Sequence, residues 1–504
     1  MTVPSDPAPQ YPHCMRILFA SAELAPVAQV GGLAEAGAGL INELRRLPDV
    51  EIDVILPDYG DVEMSIETEI ELTVEREVPN WSAPARARTG QVAGVGRITL
   101  VSTPGLARPG PYTDGAGRAW PDNDRRFFGF SAAVAALIAR LRPDVVHLND
   151  WHTAAVLGHL DPLDRPPVVL TVHTLGYQGT TDSSWLETIP HQRELFEWYG
   201  GTNPLAGGLS LADRVIAVSP TYADEIRQAD GGMGLHHRLT ALGDRLIGIR
   251  NGIDVDTWNP AEDSALTTGY DHASLAGKQS CRIALSEEIG WPVTDRPLIG
   301  AVTRLVDQKG TDILLDSVRY LAGIGARLVL LGAGEQGLAD RARQVSEAHP
   351  DNFAFVEGHR VDLAHRILAG ADLFAMPSRF EPCGLAQMQA MVYGTIPVVS
   401  PVGGLLDTVC DADLEPDRGT GFVMGAVNPT GLVDALHRAV RAVNDPVHRA
   451  SITARAMGQD WSWAGPAQAH LAVYREAITE RAGHRASSSG RVSAPPEPGS
   501  SPRR

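Results

Sequence analysis

Arg16-Ile-Leu-Phe-Ala-Ser-Ala22, then Ala28-Gln29-Val30-Gly31-Gly32-Leu33, then Ile52-Asp-Val-Ile-Leu56 decide the fold. The first and third are short apolar runs of strand length, and a helical pattern through Leu47 separates them. Strand, helix, strand is the signature of a parallel sheet. The alternation returns at Asp144-Val-Val-His-Leu148, Val168-Val-Leu-Thr-Val172 and Arg214-Val-Ile-Ala-Val218. After Asn251-Gly252-Ile253-Asp254 the rhythm breaks over 258–295. A second series then begins, with strands expected at Leu298–Val302, Arg327–Leu331, Phe353–Val356, Asp372–Met376 and Ile396–Val399. Two doubly wound α/β halves in one chain predict a cleft between them, faced by loops at strand C-termini. Val30-Gly-Gly-Leu-Ala-Glu35 in the first half is echoed by Val402-Gly-Gly-Leu-Leu-Asp407 in the second.

Composition narrows the class. A chain of 504 residues predicts two to four domains at ~100–200 residues each. Hydrophobic residues make up 43% and charged residues 21%, ordinary for a soluble globular protein. A net charge of −18 argues against nucleic acid as a partner. No run reaches the ~18 apolar residues of a membrane helix, and the first 14 residues lack the basic start of a signal peptide. Cys14, Cys281, Cys383 and Cys410 show no CxxC spacing, so reduced thiols in a cytoplasm are expected. Residues 1–15 read as a loose leader, and the Ser-, Pro-, Gly- and Arg-rich end from 483 to 504 as a disordered tail. Of 43 basic residues only Lys278 and Lys309 are lysines. A lysine kept against that bias points to a place where a compact ammonium does what a planar fork cannot.

Several stretches carry chemistry, each with a plainer alternative. Gly31-Gly32 lies between a strand and a helix, where a phosphate meets free N–H groups and a positive dipole end. A tight turn explains it equally. His147-Leu-Asn-Asp150-Trp-His152 has the residue types of a metal site but no third ligand at suitable spacing, so orienting a helix start or lining the cleft is preferred. His173 ends a strand, as a substrate-facing ring or as a satisfied structural histidine. Arg304 and Lys309, five apart at a strand end, suit a diphosphate clamp; a solvated surface pair is the alternative. Glu381 follows the strand at 372–376, placed to bond a sugar hydroxyl or to cap the next helix. Cys383, with no readable His/Asn arrangement, is a small buried thiol.

Together these segments resemble the glycogen/starch synthase family of retaining glycosyltransferases. VGGLAE, RPGPYTD (108–114), WPDN (120–123), HLNDWH, TVHTLGYQG (171–179), SLADRVIAVSPTYADEI (210–226), IRNGIDVDTWNP (249–260), TRLVDQKG (303–310) and SRFEPCGL carry it, in order, over about 16–480. The resemblance implies two Rossmann-like domains of GT-B type facing a cleft. It divides the chain into a leader 1–15, an acceptor domain 16–257, an inter-domain segment 258–295 and a nucleotide-donor domain 296–459. A helix at 460–482 would return to the first domain, ahead of the tail. No metal and no cofactor are implied. Arg304 and Lys309 would hold the donor diphosphate, Glu381 would sit beside the donor ring, and His173 near the reacting carbon. Gln29, Gly31, Gly32, His359, Cys383, Gly384 and Leu385 would complete the donor site. Leu106, Asp150, Trp151, Thr174 and Tyr177 would face the acceptor.

The chain also departs from the family pattern. Gln29 replaces a donor-directed Lys, Leu106 a Tyr, Thr174 an Asn, Ala206 a Lys, His359 a base-packing Tyr, and Ala386 a Thr. Losing one charged hydrogen bond forfeits about 1.5–3 kcal/mol. The departures point first to a specialised member, similar to the glycogen-synthase-like pseudo-glycosyltransferases of acarbose-type pathways. Such an enzyme joins a nucleotide-activated cyclitol or sugar to a small amino-sugar or cyclitol partner. The alternative is an ordinary glycogen synthase elongating α-1,4-glucan from ADP-glucose. A third reading is an inactive carbohydrate-binding homologue, against which the retained His173, Arg304, Lys309 and Glu381 speak.

Overall fold

The structure, a computed structural model, describes residues 14–115 and 117–489. Most of the expected leader and the end of the expected tail lie outside the described residues. In chain order the first half contributes strands β1 (Met15–Ala20), β2 (Val50–Pro57), β3 (Ser65–Leu72), β4 (Ala85–Val92), β5 (Gly96–Ser102), β6 (Val145–Asn149) and β7 (Val168–Val172). Three two-residue strands follow, β8 (Thr181–Asp182), β9 (Glu197–Trp198) and β10 (Gly201–Thr202), then β11 (Arg214–Ala217) and β12 (Leu246–Gly248). The second half contributes β13 (Leu298–Leu305), β14 (Arg327–Gly334), β15 (Phe353–Glu357), β16 (Leu373–Met376), β17 (Ile396–Val399) and β18 (Phe422–Val423).

The first sheet runs β12-β11-β7-β6-β1-β2-β5-β4-β3 and is parallel from β12 to β5. The second, β15-β14-β13-β16-β17-β18, is parallel throughout. Central strands such as β6 and β7 are buried along their whole length. Helices cover both faces, which is why these strands read as unbroken apolar runs. The antiparallel β3–β4–β5 meander was not expected. Its signal was present in Ala85-Arg86-Ala87-Arg88, where both alanines point into the core and Arg86 to solvent. That is period-two alternation.

The Gly32–Arg45 helix buries Leu33, Leu40, Ile41 and Leu44, a stripe at helical spacing. The same core holds Trp463, Leu471 and Tyr474 of the last segment. The Ala464–Ser489 helix therefore packs on the first domain, and it runs past the expected end at 482. Arg214 ties it down through Glu480 (Nη1 to Oε2, 2.7 Å). Chain crossings out of and back into the first domain lie side by side. Ile253 N–H donates to the Trp461 carbonyl at 2.8 Å, and Arg250 Nη2 to the Asp460 carbonyl at 2.9 Å. Further contacts join the halves: Ser219 Oγ donates to the Pro382 carbonyl (2.6 Å), and Thr221 Oγ1 to Asp407 (2.7 Å). No helix among the described residues is long and apolar enough to cross a membrane.

Candidate active site

The strand ends of both sheets meet at the cleft. Arg304 is the penultimate residue of β13, exposed and without an ion pair among the described residues. A short turn, Asp307–Lys309, follows. Lys309 Nζ donates to Glu381 Oε2 at 2.6 Å, and Ser378 Oγ reaches the same oxygen at 3.1 Å. The two loops approach closely because Gly310 has φ +63° and a Cβ there would sit 2.0 Å from the Pro377 carbonyl oxygen. Arg379 laces them further, gripping Asp312 at 2.8 and 2.7 Å. Glu381 is buried and caps no helix: the Ala386–Val392 helix has no side-chain cap. The capping alternative is therefore replaced by an ion pair.

Across the cleft, a Cβ at Gly32 would lie 3.8 Å from Leu385 Cδ1, and one at Gly176 3.9 Å from Phe380. Gly31, Gly32, Gly384 and Leu385 thus come together. The Gly-Gly echo has a structural counterpart, since Gly32 and Gly403 each open a helix. Gln29 Nε2 donates to Glu35 Oε1 at 3.1 Å. Burial and Asp254 raise the Glu35 pKa, while Gln29 and His359 oppose them. Gln29 and the exposed His359 therefore share one corner of the cleft through Glu35.

His173 follows β7. Its Nε2 contacts Asn149 Oδ1 at 3.0 Å, and its backbone N–H donates to Asp150 Oδ1 at 2.7 Å. Burial, with the His470 imidazole, holds the His173 pKa down to about 3, so the ring is neutral. Asp150 is buried, its pKa pushed up to about 7 by burial against the backbone N–H groups of His173 and Thr174. Its φ of +55° and ψ of −173° are strained for a non-glycine residue, at a cost of about 1–3 kcal/mol.

Some expected roles need correction. Leu106 is 0% exposed in the first core, with its carbonyl held by the buried Arg126 (3.0 Å), so it cannot touch an acceptor. Ala206 is also fully buried, its N–H capped by Asn203 Oδ1 at 2.9 Å. These two departures therefore do not alter the cleft wall. Asp150 faces inward and shapes the His173 loop, as does Thr174, whose Oγ1 accepts the Gly176 N–H at 3.1 Å. Trp151 is half-buried against Phe127 (5.1 Å), leaving Tyr177, 64% exposed, as the open residue of that set. Cys383 is buried, its thiol pushed up to about 12 by burial. His147 bonds Thr171 and Tyr474 (both 2.7 Å), while His152 stacks on Tyr112 (4.8 Å), so the two rings do not converge on a metal.

Three contributors were missed. Glu23 Oε2 accepts the N–H groups of Val30 (2.6 Å) and Gly31 (3.0 Å), while its Oε1 accepts the Tyr112 hydroxyl (2.7 Å). Glu23 thus pins the Gly-Gly turn, and nothing in its sequence context signals that. Arg126 shapes the loop carrying Tyr112 through the Pro111 carbonyl (2.8 Å). Asn149 stood inside a quoted motif without a role.

Comparison with known proteins fits this geometry. Residues 16–241 match the starch synthase catalytic domain and residues 286–456 the glycosyl transferases group 1 family. The glycogen synthase of Halorhodospira halophila is 39% identical over 478 residues, spanning 93% of this chain and 100% of that protein. That of Alkalilimnicola ehrlichii is 40% identical over 484 residues, spanning 92% and 98%. The catalytic domain of starch synthase IV from Arabidopsis thaliana, bound to ADP and acarbose, superposes with a TM-score of 0.82 at 30% identity, covering 93% of this chain and 100% of that one. This chain is a GT-B glycosyltransferase and belongs to the glycogen/starch synthase family.

Proposed function

We propose that the protein transfers a glucosyl group from ADP-glucose to the end of an α-1,4-glucan, with retention of configuration, in the cytoplasm. The carrying observation is the pair of cations at the end of β13: Arg304 has no ion pair among the described residues, and Lys309 is held in place by buried Glu381. In this reading the C1–phosphate bond breaks as the acceptor oxygen bonds C1 from the same face. The acceptor proton passes to the departing diphosphate, whose charge Arg304 and Lys309 stabilise. No protein nucleophile is required, and positioning supplies much of the rest. The names of the relatives, and the ADP bound to the Arabidopsis domain, support this donor and polymer.

One observation favours the specialised reading: where the family pattern has a donor-directed lysine, this chain has the neutral amide of Gln29, engaged by Glu35. The two readings part in one assay. Purified protein is incubated with ADP-[¹⁴C]glucose and glycogen. Sustained incorporation in the usual enzyme range of roughly 1–10³ s⁻¹ is expected. Absence of incorporation, with transfer to an amino-sugar or cyclitol partner from another nucleotide donor, would replace the first reading by the second.

A further inference from the structure

Asn149 ends β6, the strand between β1 and β7. Its side chain spans both neighbours at the C-terminal edge of the sheet. Nδ2 donates to the carbonyl of Ala20, the last residue of β1, at 3.0 Å. Oδ1 faces His173 Nε2, just beyond β7, at 3.0 Å. The Ala20 carbonyl accepts only, so the amide cannot be flipped without setting oxygen against oxygen. Oδ1 must therefore face the ring, and Nε2 must carry the proton. His173 Nδ1 has no hydrogen-bond partner among the described residues and is not among the buried, unsatisfied atoms. It is left as a bare acceptor.

We propose that Asn149 is the positioning residue that fixes His173 as its Nε2–H tautomer and presents Nδ1 to the cleft as a hydrogen-bond acceptor for a sugar hydroxyl. The hydroxyl-accepting role rests on the reading of His173 beside the reacting carbon; the tautomer does not. Asn149 is 1% exposed and its Nδ2 and Oδ1 are both committed, so the arrangement is built into the sheet. The titratable groups around the ring are Asp150, which holds the His173 backbone, His147 on β6, and His470 on the returning helix. None of these is bonded to Nδ1. Asn149 thus sets the proton's position by geometry.

The test uses the full chain labelled with ¹⁵N-histidine. Two-bond proton–nitrogen correlations report the tautomer, and His173→Gln identifies the signal by its disappearance. The wild-type ring should show a protonated Nε2 and an unprotonated Nδ1 across pH 6–8; a protonated Nδ1 would overturn the proposal outright, whatever the activity. Asn149→Ala should release the ring into mixed tautomers and lower kcat by about tenfold to a hundredfold with KM nearly unchanged, the scale of a misplaced reacting group. Asn149→Asp keeps the shape and substitutes a carboxylate, so His173 should take up a second proton on falling pH and kcat should fall with it, where the wild type stays flat. An unchanged tautomer in Asn149→Ala, or a flat profile in Asn149→Asp, would reduce Asn149 to a packing residue. If no donor and acceptor pair gives turnover, the substrate reading fails while the tautomer measurement still decides the Asn149 assignment.

Discussion

Arg304 and Lys309 look alike in the sequence and differ in their surroundings. Arg304 is exposed and without an ion pair among the described residues, whereas Lys309 neutralises a buried Glu381 at 2.6 Å. Substituting either should cut kcat by about a hundredfold or more, the usual loss for one preorganised charge contact. Their stabilities should diverge. Lys309→Ala leaves a buried carboxylate without its cation and should cost about 3 kcal/mol, while Arg304→Ala should leave the urea midpoint within error. Equal midpoints would show that the pair carries no structural load; near-wild-type turnover in both would remove them from the donor site. The other lysine explains itself differently. Lys278 is buried, and its ammonium meets the carbonyls of Ala369 (2.9 Å) and Tyr393 (3.0 Å) and the hydroxyl of Thr395 (2.7 Å). It closes the C-terminal ends of two helices, a pocket of oxygens shaped for a point charge. Lys278→Arg should therefore lower the unfolding free energy by about 3 kcal/mol, measured by denaturant titration, because a planar fork cannot enter without stranding buried acceptors.

The helices and parallel strands were legible because continuous burial leaves an apolar run. Ile396–Val399 matches expectation residue for residue, and Phe353–Glu357 to within one. The meander was not legible, since its outer strand Ser65–Leu72 is largely exposed and carries little apolar signal. The candidate site was legible where motifs crowd together, at 304–310 and 378–385. It was illegible where a role depends on a distant partner, as for Glu23, Arg126 and Asn149. Leu106 and Ala206 were read as substrate-facing from motif position, yet Leu106 lies in a loop drawn inward by the buried Arg126, and Ala206 sits on the buried first turn of the Pro204–Leu211 helix. At the returning helix, Tyr474 satisfies the buried His147 at 2.7 Å. Tyr474→Phe should cost about 1–3 kcal/mol by leaving that nitrogen unbonded, with little change in kcat. A large fall in kcat at unchanged stability would mean that the helix acts on the site directly.

Over the described residues of the whole molecule, five histidines are held neutral, four of them buried and His173 half-buried beside the cleft. His152, His159 and His173 are pushed down to about 3 and His470 to about 4 by burial, and His147 lies well below its ordinary value. Their folded-state values lie below the unfolded value near 6.5, so the unfolded chain binds more protons as the pH drops beneath it. Each contributes a loss approaching roughly 1.4 kcal/mol per pH unit in that window, and Asp150, raised to about 7, opposes one of them. The melting temperature should thus fall steadily from pH 7 to pH 5, and His159→Leu, removing a ring with no hydrogen bond to either nitrogen among the described residues, should blunt the slope. A melting temperature flat over that range would mean that these rings protonate within the fold. The two chain crossings have a consequence of another kind. Ile253 and Trp461 are joined backbone to backbone, and a Cβ at Gly252 would lie 2.7 Å from the Ser462 carbonyl oxygen. Two tethers fastened together act as one spine, the line about which any swing of one half against the other would turn. Pages move least at the binding and most at the fore-edge.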